Sequence, residues 1–277
     1  LRFDAFRMQV RDQLDPRDVT SVDQVIQAYL EQADAIQAAG GRLILMASRA
    51  LVQVAKTPED YKKVYRRVLE SCDEPVILHW LGDMFDPALK GYWGTEDFDG
   101  ALETVLSIIE DNRSRIDGIK ISLLDKDKEI ILRRRLPEGV RMYTGDDFNY
   151  PELIQGDAQG FSHALLGIFD PLAVAAAQAV RKLGEGDTAA FRSILDPTVP
   201  LARVIFRSPT QYYKTGVVFL AWLNGFQNHF IMLNGAQALR PLPYFTEIFR
   251  LADGCGLLRE PDLAVQRMNT LLALYGA

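Results

Sequence analysis

The chain has 277 residues, of which 48% are hydrophobic and 25% are charged, the balance of an ordinary soluble globular protein. Its formal net charge of -6, with no basic run interleaved with aromatics, argues against nucleic acid and anionic membranes as partners. The sequence has only two cysteines, which argues against a disulfide framework. It has no run of about 20 apolar residues that could form a membrane helix, and its first residues mix charged and apolar types, unlike a signal peptide. A cytoplasmic location is therefore expected.

The first part of the sequence alternates between helical and strand patterns. Apolar residues keep helical spacing over 22–39, and a glycine pair stops that helix. The next run, RLILMAS, is typical of a buried strand. Thr57 then predicts the cap of a helix that ends near Ser71, and PVILHWL predicts the second strand.

The same alternation continues as far as Asp170. Thr95 predicts the cap of a helix through Ile109, which precedes the strand IDGIKISL. A short helix over 126–135 precedes the strand VRMYTGDD, and a helix opening at Tyr150 precedes the strand GFSHALLGIF. Beyond this point the pattern is helical, with a structural role expected for His229 inside it and breaks near Gly184, Pro197, Pro209 and Pro241.

Continuous apolar strands that alternate with helices indicate an α/β protein with a parallel sheet covered by helices. No GxGxxG or GxxxxGK(S/T) motif follows a predicted strand, so the phosphate-binding motifs of open doubly wound sheets are missing and a closed barrel is favoured. Polar residues stand at the carboxyl ends of the predicted strands, where barrels carry their chemistry. They are Ser48, Arg49, His79, Asp83, Lys120, Thr144, Asp146 and Asp147.

Lys120 lies within a predicted strand. In IDGIKISLL the isoleucines after Gly118 fall on one face and Lys120 and Ser122 on the other, with the period of two that a strand requires. Because the apolar face belongs against the helices, Lys120 should point into the barrel. Burial there disfavours the ammonium form and leaves an amine available to attack a carbonyl. An ion pair with Asp146 or Asp147 is the alternative explanation.

Four segments, in order along the chain, resemble one superfamily. DGIKISLL resembles a lysine strand that reads GIKDSS or GIKEAS, and PVILHWLG aligns with PVLLYNVPG. MYTGDDFNYPELIQGDAQGFSHALLGIFDP resembles a GDD segment followed by GADGVISGLANVAP, and SPTQYYKTGVVFLAWLNG resembles SPNPIPVKAALALLG, with Lys214 at its lysine. On these matches the chain is similar to the dihydrodipicolinate synthase and N-acetylneuraminate lyase superfamily, in a dihydrodipicolinate-synthase-like branch.

The resemblance implies a (β/α)8 TIM barrel with extra C-terminal helices. Residues 1–170 would hold the barrel strands and helices, and residues 171–277 the last barrel helix and a helical extension of the same domain. Residues before Gly40 can supply about one strand, FRMQV, where the superfamily has three, so the first strands are expected outside the given sequence. Superfamily members assemble into dimers and tetramers, which implies a homo-oligomer.

The resemblance also implies a Schiff base on Lys120. His79 stands where the superfamily has a proton-relaying tyrosine, and a histidine can also donate or accept a proton near neutral pH; a hydrogen-bonded structural histidine is the alternative. The predicted substrate-binding residues are Ser48, Arg49, Asp83, Thr144, Gly145, Asp146, Asp147 and Ser162. The two aspartates could instead cap the following helix. Ser162 and His163 point to opposite sides of their strand, and Ser162 is expected to face the interior.

The predicted function is a Schiff-base aldolase or lyase that acts on a keto-acid or a sugar-derived carbonyl compound, with no cofactor or metal. The GTT motif that binds the substrate carboxylate in the superfamily does not occur in the sequence, which weighs against pyruvate as the substrate. One alternative is a metal-dependent barrel lyase or isomerase that uses His79, His163, Asp146 and Asp147. The other is a catalytically inactive barrel that binds a ligand.

Overall fold

The computed structural model describes residues 7–10 and 12–276. These residues form two compact units. The first contains the described residues up to Gly145 together with Gly156–Ala164, and the second contains Asp146–Gln155 and the residues from Leu165 onward. No helix in the described ranges combines the length and the apolar character needed to cross a membrane.

The first unit is built on a parallel sheet of six strands, in which each strand pairs with the next strand along the chain. A (β/α)8 barrel requires such an order, whereas an open doubly wound sheet reverses its order at a switch point. The predicted α/β class with a barrel-type sheet is therefore confirmed. The strands are β1 (Arg7–Val10), β2 (Arg42–Leu45), β3 (Val76–Leu81), β4 (Ile116–Ser122), β5 (Arg141–Thr144) and β6 (His163–Ala164).

Helices alternate with these strands, and short polar side chains begin them. Ser21 and Gln24 form a capping box at the first helix, and Thr57 and Asp60 form one at the third. The helices of the first unit are α1 (Val22–Ala38), α2 (Arg49–Val54), α3 (Pro58–Glu70), α4 (Phe98–Asp111) and α5 (Lys126–Arg135). The predicted strand FRMQV corresponds to β1, except for Phe6, which lies outside the described residues.

One expectation about a helix start in this unit is wrong, and one helix was not expected. Asp97, not Thr95, caps α4, because the Asp97 carboxylate accepts the Gly100 N–H at 2.8 Å. The short helix α2 was not predicted at all. Ser48, expected at the end of a strand, begins α2 by accepting the Leu51 N–H at 2.9 Å.

The two faces of the sheet differ in chemistry. One face packs against the helices and contributes to a continuous buried hydrophobic core, with Leu45, Leu78, Ile119, Ile121 and Met142 among its members. Side chains alternate along each strand, so the residues between these core positions project to the opposite face. That opposite face carries His79, Lys120 and Tyr143 on neighbouring strands.

The second unit is helical. Gly184 ends one helix, and Pro197, Pro209 and Pro241 lie between helices, at the predicted breaks. The helical prediction over 225–232 is wrong: Gly225 adopts a φ of +77° directly after a helix end, and His229 lies in an exposed loop. The helices are α6 (Tyr150–Gln155), α7 (Ala173–Gly184), α8 (Thr188–Leu195), α9 (Val199–Ile205), α10 (Tyr213–Leu223), α11 (Leu242–Gly254) and α12 (Pro261–Leu274).

Candidate active site

A row of side chains crosses the sheet at Lys120. The strand register pairs His79 with Lys120, Lys120 with Tyr143, and Tyr143 with His163. Residues paired in a parallel sheet project to the same face, so these four side chains lie side by side on the face away from the helix-packed core. Lys120 is half-buried there. The lysine therefore occupies the face that the alternation in its strand predicts.

Gly145, directly after β5, leaves the room that Lys120 occupies. A Cβ on Gly145 would lie 2.8 Å from Lys120 Cε, 2.8 Å from the Ile121 carbonyl oxygen and 2.0 Å from Ser122 Oγ. The Gly145 N–H also donates to the Ile121 carbonyl at 2.8 Å, which holds the two segments together. Glycine is needed at this position for space, and both Lys120 and Ser122 depend on it.

His79 is almost fully buried, with 3% of its surface exposed. Its Nε2 lies 3.0 Å from Ser122 Oγ, and its Nδ1 lies 2.8 Å from the Met46 sulfur. Burial, followed by the positive charge of Lys120, holds the pKa of His79 well below 6.5. The imidazole is therefore neutral at neutral pH, and one of its nitrogens can accept a proton.

We expect the free energy of unfolding to fall as the pH is lowered below 6.5, the ordinary pKa of histidine. The unfolded chain protonates His79 near that pH, whereas the folded chain does so only at a much lower pH, so acid favours unfolding. The loss is about 1.4 kcal/mol per pH unit for each such group. Burial also lowers the pKa of His163, which contributes with the same sign.

Denaturant titrations between about pH 7 and about pH 5 measure this slope. The slope should be smaller in His79→Gln, which loses the contribution of His79 and keeps that of His163. An unchanged slope in the variant would show that the pKa of His79 is not depressed in the folded chain.

The hydroxyl of Tyr143 is held near the N-terminal end of β4, at Asp117. Its hydroxyl donates to Asp117 Oδ2 at 2.6 Å, and Arg141 and Arg7 reach the same carboxylate at 2.8 and 3.3 Å. Its ring occupies the space over Gly118, where a Cβ would come within 2.6 Å of a ring carbon. Burial and then the bond to Asp117 raise the pKa of Tyr143.

Neither Tyr143 nor Met46 was among the residues predicted from the sequence, although both lie beside candidate catalytic residues. The alternation in VRMYTGDD carried a usable signal for the tyrosine, because it places Met142 and Thr144 on the helix side and Tyr143 with Lys120. Met46 follows β2, and only its contact with His79 identifies it.

The expected orientation of the last strand is wrong. Ser162 is fully buried, and its hydroxyl accepts from Arg133 Nη1 of α5 at 3.4 Å, so it faces the helices. His163 is the residue on the Lys120 face, where its ring centroid lies 5.4 Å from that of Tyr143. The register of β6 with β5 decides this orientation.

Three predicted substrate-binding residues of the first unit lie outside the row. Ser48 caps α2, and its N–H donates to the Tyr92 hydroxyl at 3.3 Å. Arg49 pairs with Asp86 at 2.6 Å. Asp83 is exposed in the loop after β3. Arg49 and Asp83 remain candidates for contact with polar substrate groups.

Thr144 and the two aspartates after it have structural partners. Thr144 points to the helix side, and its hydroxyl donates to the buried Glu129 carboxylate of α5 at 2.9 Å. In the second unit, Asp146 accepts the N–H groups of Phe148 and Asn149 at 2.7 and 2.9 Å and so holds the turn that precedes α6. Burial raises the pKa of Asp146 against the effect of these bonds.

Asp147, also in the second unit, accepts the N–H of Ile168 at 2.7 Å, so its carboxylate holds a segment 21 residues away in the chain. Among residues 7–10 and 12–276, no group of three or more histidine, cysteine or acidic side chains is placed to hold a metal ion. The ligand set of the metal-dependent alternative is therefore not assembled in these ranges.

The parallel sheet and the position of Lys120 on its open face define a barrel-type α/β protein with a lysine inside its fourth strand. The chain belongs to the DUF993 family, which is described as a protein of unknown function, and the family model matches residues 7–277. No curated protein sequence matches the chain.

Solved structures of similar fold include dihydrodipicolinate synthase from Thermotoga maritima, with a TM-score of 0.68 and 13% identity over 92% of this chain and 76% of that one. YagE from E. coli, a prophage protein of the dihydrodipicolinic acid synthase family solved in complex with pyruvate, has a TM-score of 0.71 and 15% identity over 92% of this chain and 76% of its own. A variant of the 2-keto-3-deoxygluconate aldolase of Sulfolobus solfataricus has a TM-score of 0.59 and 12% identity over 91% of this chain and 76% of its own. The superfamily resemblance predicted from the sequence is confirmed at the level of the fold.

Proposed function

We propose that the chain is a Schiff-base-forming lyase of the aldolase type and that Lys120 is its covalent residue. The observation that carries the proposal is the in-register placement of Lys120 beside His79 on the sheet face opposite the hydrophobic core. The names of the structural neighbours support the class, because they are synthases and an aldolase, one of them bound to pyruvate. A keto-acid or a sugar-derived carbonyl compound is the proposed substrate class.

The chemistry follows from the groups in the row. The amine of Lys120, in its unprotonated form, attacks a carbonyl carbon, and the resulting carbinolamine takes up a proton and loses water to leave an iminium ion. The iminium accepts the electron pair of a neighbouring bond as that bond breaks, so the proposed reaction needs no cofactor. His79 is buried and neutral, and it supplies the basic nitrogen for the accompanying proton transfer.

The other proposed roles follow from position. Gly145 gives Lys120 its space, and Arg49 and Asp83 are the proposed contacts for polar groups of the substrate. Ser48, Thr144, Ser162, Asp146 and Asp147 were predicted to bind substrate and have the structural partners given above. A cytoplasmic location and a homo-oligomeric assembly remain predictions from the sequence.

Borohydride trapping tests the proposal. The protein is incubated with single carbonyl compounds (pyruvate, 2-oxobutyrate, hydroxypyruvate and 2-keto-3-deoxygluconate), reduced, and analysed by intact and peptide mass. At least one compound is expected to leave a stable adduct on Lys120 that EDTA does not affect, because an imine requires no metal. An adduct on no lysine, or on another lysine only, would refute the assignment. Turnover that EDTA abolishes would favour the metal-dependent alternative.

A further inference from the structure

His79 contacts two side chains that differ in what they can do with a proton. The sulfur of Met46, 2.8 Å from Nδ1, can only accept a hydrogen bond. The hydroxyl of Ser122, 3.0 Å from Nε2, can donate or accept. A neutral imidazole carries one N–H and one unprotonated nitrogen. The contact with the Met46 sulfur therefore determines which tautomer is favoured.

This arrangement favours the tautomer with the proton on Nδ1, because only that nitrogen faces an atom unable to donate. In that tautomer Nε2 has a lone pair directed at Ser122, and the Ser122 O–H donates to it. Burial and the charge of Lys120 both keep the pKa of His79 low, so this neutral form persists at neutral pH. Lys120 is the titratable neighbour that acts on the ring.

Ser122 is also close to the reactive end of Lys120. The two residues lie two apart on β4 and share a face. Ser122 Oγ and Lys120 Cε lie 2.0 and 2.8 Å from the position that a Cβ on Gly145 would occupy. These two distances place Ser122 Oγ no more than 4.8 Å from Lys120 Cε, and the same hydroxyl lies 3.0 Å from the basic nitrogen of His79.

We propose that Ser122 and His79 form a proton relay in which Ser122 touches the substrate and His79 acts through it, with Met46 as the residue that positions the ring. The relay rests on the proposed Schiff base at Lys120. It assigns the proton transfer that follows imine formation to a serine that was not among the functional residues predicted from the sequence.

The carbon next to the imine carbon loses a proton to Ser122 Oγ while the Ser122 proton passes to His79 Nε2. The electron pair of the broken C–H bond forms the C=C bond of an enamine, and the iminium π pair moves onto nitrogen. The iminium loses its positive charge as the imidazole gains one, so the total charge of the site is constant. Return of the proton to carbon is fast, because a buried imidazolium is a strong acid.

Hydrogen exchange on a probe tests the relay. The protein is incubated with pyruvate in D2O, loss of the methyl signal is followed by proton NMR, and parallel samples are reduced with borohydride. Ser122→Ala is expected to keep the adduct on Lys120 and to exchange the methyl hydrogens at least ~100-fold more slowly, the usual scale of general acid–base catalysis. Ser193→Ala removes an exposed hydroxyl of α8 and should exchange at the unchanged rate.

A second measurement does not depend on the probe or on how Ser122→Ala folds. In protein labelled with ¹⁵N on histidine, the His79 ring should carry its proton on Nδ1, and Met46→Leu, of similar volume, should shift the population toward the Nε2–H tautomer. The same variant should slow exchange without loss of the adduct.

The outcomes separate the two proposals. A missing adduct on Lys120 of the unchanged protein with every carbonyl compound tried overturns the Schiff base and the relay together. An adduct with exchange in Ser122→Ala within about twofold of the unchanged protein overturns the relay alone. A proton found on Nε2 of His79 in the unchanged protein also overturns the relay.

Discussion

Lys120→Met is expected to abolish the borohydride adduct with every carbonyl compound that labels the unchanged protein. Methionine keeps an unbranched chain in the space beside Gly145 and removes the amine, so the fold should tolerate it and imine formation should not. Peptide mass spectrometry measures the adduct, and thermal unfolding checks that the variant is folded.

The same substitution should raise the pKa of His79. The charge of Lys120 is the second cause of the depression of that pKa, after burial, so removing it leaves burial alone. Lys214→Met is the matched control, because Lys214 is exposed on α10 and corresponds to the helix lysine of the resemblance. The control should keep both the adduct and the pKa. An adduct that survives in Lys120→Met and disappears in Lys214→Met would show that Lys214, and not Lys120, is the covalent residue.

Gly145→Ala is the second substitution with a large expected effect. The added methyl would meet Ser122 Oγ, Lys120 Cε and the Ile121 carbonyl, all at 2.8 Å or less, and one of these contacts is with backbone that cannot move alone. Overpacking of this kind costs about 1–3 kcal/mol. The displaced Lys120 should also form less adduct. Denaturant unfolding and adduct yield measure the two effects.

Gly184→Ala is the control for the glycine substitution. Gly184 ends α7, a Cβ there would have nothing within 4 Å, and its φ is not positive. Alanine should leave the adduct unchanged and stabilise the helix by up to about 1 kcal/mol. If Gly145→Ala matched this control in both measurements, the tight contact between β4 and the residue after β5 would not exist in solution.

The sheet and most helices could be predicted from the sequence because each has a local signal. The apolar runs around Leu45, Leu78 and Ile119 are too short for buried helices, and α5 begins and ends where the pattern places it. The start of α4 was missed because Thr95 and Asp97 can both cap a helix, and the sequence does not decide between them. Where two capping residues stand close together, the sequence alone does not show at which of them the helix begins.

The candidate site was predictable only in part. Strand alternation alone places Lys120 on the open face. The neighbours of Lys120 depend on how β3, β4 and β5 are aligned with one another, and no local pattern records that alignment. For the same reason the orientations predicted for Ser162 and His163 were the reverse of those in the structure.

The contacts of single polar side chains were the least predictable. The Asp147 carboxylate accepts the N–H of Ile168, and the hydroxyl of Thr144, on β5, donates to the carboxylate of Glu129, on α5. Both were expected to face a substrate because they follow a strand. A residue at the end of a strand has two faces and a following turn available to it, and the choice depends on tertiary contacts far along the chain.

The in-register row across the sheet limits where this chain can gain or lose residues. One residue inserted in β4 ahead of Lys120 would turn the lysine into the hydrophobic layer beneath the helices and bring an isoleucine to the open face. A residue inserted in the exposed turn around Gly186, between α7 and α8, would disturb no pairing. Related chains should therefore vary in length in such turns and keep constant spacing through the seven residues of β4.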